Sequence, residues 1–156
     1  MLDNFTPAML ELFASSLWET LVMVGISGVV GSLIGIPMGV LLRLTDQGGV
    51  LQNSAVNRVL GGIVNAVRST PFIILLVAII PFTRLITGSS IGTAAAVVPL
   101  TIAAAPFIAR LVETSLREVD QGLIEAAQAM GATTWQIVFK VLLPEALPGI
   151  VAGFTI

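Results

Sequence analysis

The chain has 156 residues, of which 56% are hydrophobic and 10% charged, with a mean hydropathy of +1.02, whereas a soluble domain carries roughly 25% charged residues. A globule this small cannot hide so much apolar surface from water, so the composition points to a single membrane domain over residues 1–156 and leaves little room for a soluble enzyme. Seven basic against nine acidic residues give a net charge of −2, and the basic residues stand singly, so no stripe exists to neutralise a nucleic-acid backbone. With no Cys and no His the chain lacks a disulfide framework and soft metal ligands, and neither a metal nor a cofactor is expected.

Residues 1–7 carry no basic region and no small-residue cleavage site, so no cleaved secretory signal is expected. Residues 20–42, bracketed by Glu19 and Arg43, hold no charge, and at about 1.5 Å per residue they reach about 34 Å, enough to cross a bilayer. Gly31, Gly35 and Gly39 form a doubled G-x-x-x-G on one face of this helix, with Ser27 one step back. Such a face lets another helix approach closely, although the general abundance of glycine in membrane helices gives the same pattern without a role. A second spanning helix is expected from Ser69-Thr70-Pro71, read as a hydroxyl cap with proline at the first helical position, to about Ile86. Upstream, Val59, Leu60, Ile63, Val64 and Val67 share one face and Arg58, Gly61, Asn65 and Arg68 the other, which predicts an amphipathic helix lying flat at the interface. A third span is expected within residues 85–109 after a turn at Gly88-Ser89-Ser90, with Pro99 and Pro106 each removing a backbone hydrogen bond.

From Glu113 to Lys140 six charges return, and a polar segment over residues 113–143 is expected to leave the bilayer. Residues 120–130 read as a short helix with Gly131 as the residue past its C-cap. Thr133 and Gln136 form a capping-box pair that opens the next helix toward Pro144. The small side chains of Ala126, Ala127 and Ala129 beside the carboxylate of Glu125 suit a plug for a groove on another protein. Packing of this loop helix on its own bundle is the bland alternative. Residues 146–156 form an apolar run of 11 that is too short to span, so the sequence reads as truncated at its C-terminus. Placing the N-terminus outside puts Arg43, Arg58, Arg68, Arg110, Arg117 and Lys140 in the cytoplasm and only Arg84 outside.

Glu125-Ala126-Ala127, three residues, Gly131, nine residues, then Val141-x-Leu143-Pro144 resembles the E-A-A-x(3)-G-x(9)-I-x-L-P signature of permease subunits of bacterial ABC importers, with Val141 as the one departure. The stretches Arg68-Ser69-Thr70-Pro71-Phe72, Ile80-Pro81-Phe82-Thr83-Arg84, Ala104-Ala105-Pro106-Phe107 and Leu143-Pro144-Glu145-Ala146 further resemble the permeases of methionine importers. The resemblance implies an all-α, polytopic type I importer permease core with three full spans and part of a fourth, where the family has five. It also implies a homodimer in the bacterial inner membrane, a cytoplasmic ABC ATPase partner and an extracytoplasmic substrate-binding lipoprotein, with no nucleic-acid partner. On the same likeness Glu125, Ala126, Ala127, Met130 and Gly131 would form the coupling helix contact with the ATPase. No G-x-x-x-x-G-K-[ST] phosphate loop is present, so the chain is expected to be a non-catalytic subunit. A permease for another amino acid, an ion-coupled secondary transporter or channel, and a structural scaffold are the competing readings. An ion-coupled transporter would carry ionisable residues within its spans.

Overall fold

The glycine face, the prolines and the caps divide the chain into eight α-helices among the residues described, 7–155, in a computed structural model. Residues 1–6, on which the reading of the extreme N-terminus bears, lie outside that range. Helix α1 (Pro7–Thr45) has 39 residues and is about 58 Å long, roughly twice the hydrocarbon thickness of a bilayer. Its first twenty residues are almost wholly exposed, and burial begins at Ser27 and recurs at Gly31, Gly35, Gly39 and Leu42. These face α5 (Thr93–Arg117). A Cβ placed on Gly35 would lie 2.6 Å from the Ala105 carbonyl oxygen and 2.8 Å from Ile108 Cβ, and one on Gly39 would lie 2.8 Å from Val112 Cβ. Only glycine lets the two backbones meet this closely. Ser27 Oγ adds a 3.4 Å bond to the Val97 carbonyl across the same seam.

Helix α5 runs unbroken through Pro99 and Pro106, both buried in the bundle, and continues past Arg110 to Arg117. The helix therefore does not end at Ala109, and the first residues of the segment expected to be polar, including Glu113, belong to it. Arg110 and Arg117, one turn before and one after, both donate to the buried Glu113 carboxylate, which lets the helix carry that charge inward.

The stretch expected as a second span takes another form, two short helices of 7 and 8 residues. It consists of α3 (Phe72–Ala78) and α4 (Ile80–Thr87), joined at Ile79 with φ −98° and ψ 6°. Pro81 explains the break, because it supplies no N–H and its ring crowds the carbonyl four residues back, that of Val77. The hydroxyl cap is absent as well: Thr70 Oγ1 donates to the Ala66 carbonyl at 2.8 Å, and α3 begins on Pro71 with no side-chain cap. Thr70 thus closes α2 (Ser54–Ser69), the residue before a proline being held extended. The axes of α2 and α3 differ by 107°. Amphipathic α2 buries Val64, with Leu60 and Met38 packed around it, against Leu42 and Ala109, and leaves Val56, Val59 and Ile63 exposed.

After α6 (Gln121–Ala129) and α7 (Thr134–Ile137), a π-helical turn over Val138–Leu142 leads into α8 (Leu143–Phe154). The stretch Thr134–Phe154 is continuous, 21 residues long and apolar enough to cross a membrane, as are α1 and α5. The last span therefore starts about a dozen residues before the 146–156 run in which the sequence places it. The main core joins Ile108, Val112 and Leu116 of α5 to Ile124 and Ala127 of α6, to Ile137, Val138 and Leu142 on the π-turned helix, and to Ala146 and Ile150 of α8.

Candidate functional site

The elbow between α6 and α7 is built by three local devices. Asp120 opens α6, its Oδ1 accepting from the Gly122 amide at 2.6 Å. At the other end Gly131 takes φ +78°, the left-handed conformation that glycine adopts without strain. Its amide donates to the Gln128 carbonyl at 2.9 Å, and that of Ala132 donates to the Ala127 carbonyl at 3.0 Å. This pair of bonds ends a helix and reverses the chain. Two residues on, the Thr133 amide donates to Gln136 Oε1 at 2.8 Å and the Gln136 amide to Thr133 Oγ1 at 3.4 Å, a complete capping box that starts α7.

The geometry sorts the residues singled out in this segment. Glu125, Ala126, Met130 and Gly131 are exposed, Met130 at 81% of its surface. Ala127 is not: it is 5% exposed and packs inward beside Ile124. The turn of the helix that aims Ala126 outward aims Ala127 at the bundle, so of the expected contact residues Ala127 is the one turned inward. Leu123 extends the exposed apolar surface, and Trp135 and Phe139 stack beside the elbow with ring centroids 5.8 Å apart. Gly31, Gly35 and Gly39 lie elsewhere, in the α1–α5 seam.

Two residues that sequence reasoning passed over join α6 to the rest of the molecule. Arg43, buried at the end of α1, donates through Nη2 to Gln121 Oε1 at 3.2 Å and through Nε to the Leu116 carbonyl at 3.3 Å. Gln121 Nε2 in turn donates to the Gly48 carbonyl at 3.3 Å. Arg117 bridges Glu113 and Asp46 at 2.8 Å each, and Arg110 reaches Asn65 Oδ1 of α2 at 3.0 Å. The spacing of Arg110, Glu113 and Arg117 on one helix face was a legible signal for part of this set. No sequence pattern marks the pairing of Arg43 with Gln121.

Residues 31–156 match the family described as binding-protein-dependent transport system inner membrane component. The chain belongs to this family. The permease is 58% identical over 149 residues to the D-methionine transport system permease protein MetI of Yersinia pestis, covering 96% of this chain and 69% of that protein. It is also 58% identical over 148 residues to MetI of Escherichia coli K12, covering 95% and 68%. In structure it is similar to an inward-facing conformation of the MetNI methionine ABC transporter, with a TM-score of 0.93 and 56% identity over 96% of this chain and 69% of that one. An amino acid ABC transporter crystallised with histidines shares the fold, at a TM-score of 0.59 and 21% identity. The permease thus spans about two thirds of the length of its relatives.

Proposed function

We propose that the permease is the membrane subunit of an ATP-driven importer carrying methionine, of the D- and L-methionine class, by alternating access. The observation that carries this reading is the exposed elbow, where Glu125, Ala126, Met130 and Gly131 are held outward on a helix fixed at both ends and seated on the core through Ile124 and Ala127. A short helix presented in this way suits a cleft on a partner. That partner is a cytoplasmic ABC ATPase, since the sequence holds no phosphate loop of its own and the energy must come from outside it. A second copy of the permease completes a homodimer, and an extracytoplasmic lipoprotein delivers the substrate. The methionine assignment is supported by the MetI relatives, whose names carry that substrate.

The reading places the N-terminus outside and α6 in the cytoplasm. Its support is the gathering of bases at one end: Arg43 and Arg117 beside α6, Arg110 against α2, Arg68 in the same groove as Arg110, and Arg58 near Asp46. Arg84 pairs with Ser90 at the turn joining α4 to α5. An ion-coupled mechanism gains nothing from Glu113, whose carboxylate already accepts from two arginines.

Because residues 1–156 hold no cysteine, one introduced at Ala126 is the only one among them. In the assembled transporter Ala126→Cys is expected to crosslink to the ATPase and the inward-facing Ala127→Cys is not. Adducts from Ala126→Cys confined to lipid or to the permease itself would overturn the assignment.

A further inference from the structure

Arg43 has no part in the docking surface, yet its surroundings are built with care. The residue is 8% exposed, and a guanidinium that leaves water needs acceptors in its place. It finds them on two other elements. The Leu116 carbonyl lies in the last turn of α5, where carbonyls lack a donor from their own helix and a cation meets the negative end of the helix dipole. Gln121 is the first residue of α6, and its amide uses both ends toward α1: the oxygen toward Arg43 and the nitrogen toward Gly48 in the turn that follows α1. Arg43 also walls the seat of Ile124, together with Leu44, Gly49 and Val50. The covalent route from α5 to α6 is three residues, 118–120, so beyond the apolar seat of Ile124 against Leu44 the polar contacts of Arg43 and Gln121 are what hold α6 to the end of α1.

We propose that Arg43 and Gln121 form a tie that makes the end of α1, the end of α5 and the coupling helix move as one body, and that the two are positioning residues for transport. The proposal rests on the reading of α6 as the ATPase contact. A push on α6 reaches α5 through the chain itself. The tie adds a polar link from α6 straight to the end of α1, beside the apolar seat of Ile124, so that α6 and the glycine seam of α1 and α5 turn as a unit. With the tie cut, the ATPase still docks on the outward residues and still hydrolyses ATP, but α6 yields before α1 follows.

The test is the number of methionine molecules transported per ATP hydrolysed by the assembled complex in proteoliposomes. Gln121 is exposed and its replacement leaves the core intact, so Gln121→Ala is the informative variant, with Arg43→Gln and the double variant beside it. The ATPase is expected to copurify as with the unsubstituted permease, while transport per ATP falls at least about fivefold, the low end of coupling free energies. The double variant is expected to fall no further than the worse single one, because both cut the same tie. Arg43→Lys should recover little, since an ammonium lacks the planar fork that reaches both acceptors. An unchanged ratio in Gln121→Ala with the ATPase bound, or additive losses in the double variant, would overturn the tie alone. Failure of the unsubstituted permease to bind an ATPase would overturn the reading of α6 and the tie's transport role with it.

Discussion

Three glycines on one face of α1 decide how near α5 can come, and their neighbours make the point quantitative. At Gly35 a methyl group would sit inside the Ala105 carbonyl and the Ile108 side chain, whereas at Gly28 nothing lies within 4 Å of it. Gly35→Ala is therefore expected to force the helices apart and to destabilise the permease by about 1–3 kcal/mol. Gly28→Ala should be neutral or slightly stabilising, because alanine is the better helix former by about 1 kcal/mol. Thermal inactivation of the two variants in detergent separates them, and equal behaviour would mean that the seam does not hold α1 to α5. The glycine spacing was legible in the sequence, but its partner was not, because a face free of side chains fits any small-residue surface. Glu113 is the harder case. Its charge reads as the start of a polar segment, and the arginines three residues before and four after it show how α5 carries that charge in a buried position.

At the scale of elements, the sequence is most legible where a backbone device is local. The capping box and the Gly131 stop are both in place, since each needs only neighbouring residues. Proline effects were harder to place. Pro144 lacks the N–H that would reach the Lys140 carbonyl, and the helix responds by widening: the Leu143 amide donates five residues back, to Val138, in the π-turn that lets Thr134–Phe154 run on as one helix. Pro81 with the same defect ends α3 instead, so a proline marks a fault in the ladder without fixing how the chain absorbs it. For the elbow the conformational argument is cleaner, because a Cβ on Gly131 would touch nothing within 4 Å and the whole penalty is left-handed backbone. Gly131→Ala should strain the turn by roughly 1–2 kcal/mol, and Gly131→Asn by less, asparagine being the side-chain residue best suited to that region. ATPase binding by the two variants is expected to weaken in that order, alanine more than asparagine. Equal binding by both and by the unsubstituted permease would show that the outward residues tolerate a redirected elbow.

For the whole molecule, the sequence placed two of the three membrane-length helices, α1 and α5, but not their ends and not the third, Thr134–Phe154, because charge gaps measure where a helix can cross and packing decides where it runs. The unpartnered part of α1 is the largest consequence. Leu10, Leu12, Phe13, Leu17, Trp18 and Leu21 are all exposed, and Glu11 and Glu19 sit among them. A helix about 58 Å long exceeds the bilayer by nearly its own half, so one end of α1 must stand in water or against other protein. Arg43 is fixed beside α6 at the other end, and the topology proposed above, with bases in the cytoplasm, would set the acidic N-terminal half of α1 outside. Single cysteines at Glu11 and Met130, both exposed, read this directly. In intact cells stripped of their outer envelope, a membrane-impermeant maleimide is expected to label Glu11→Cys at once and Met130→Cys only after permeabilisation. Immediate labelling at Met130→Cys with protection at Glu11→Cys would invert the topology, and α6 would then face away from every cytoplasmic ATPase.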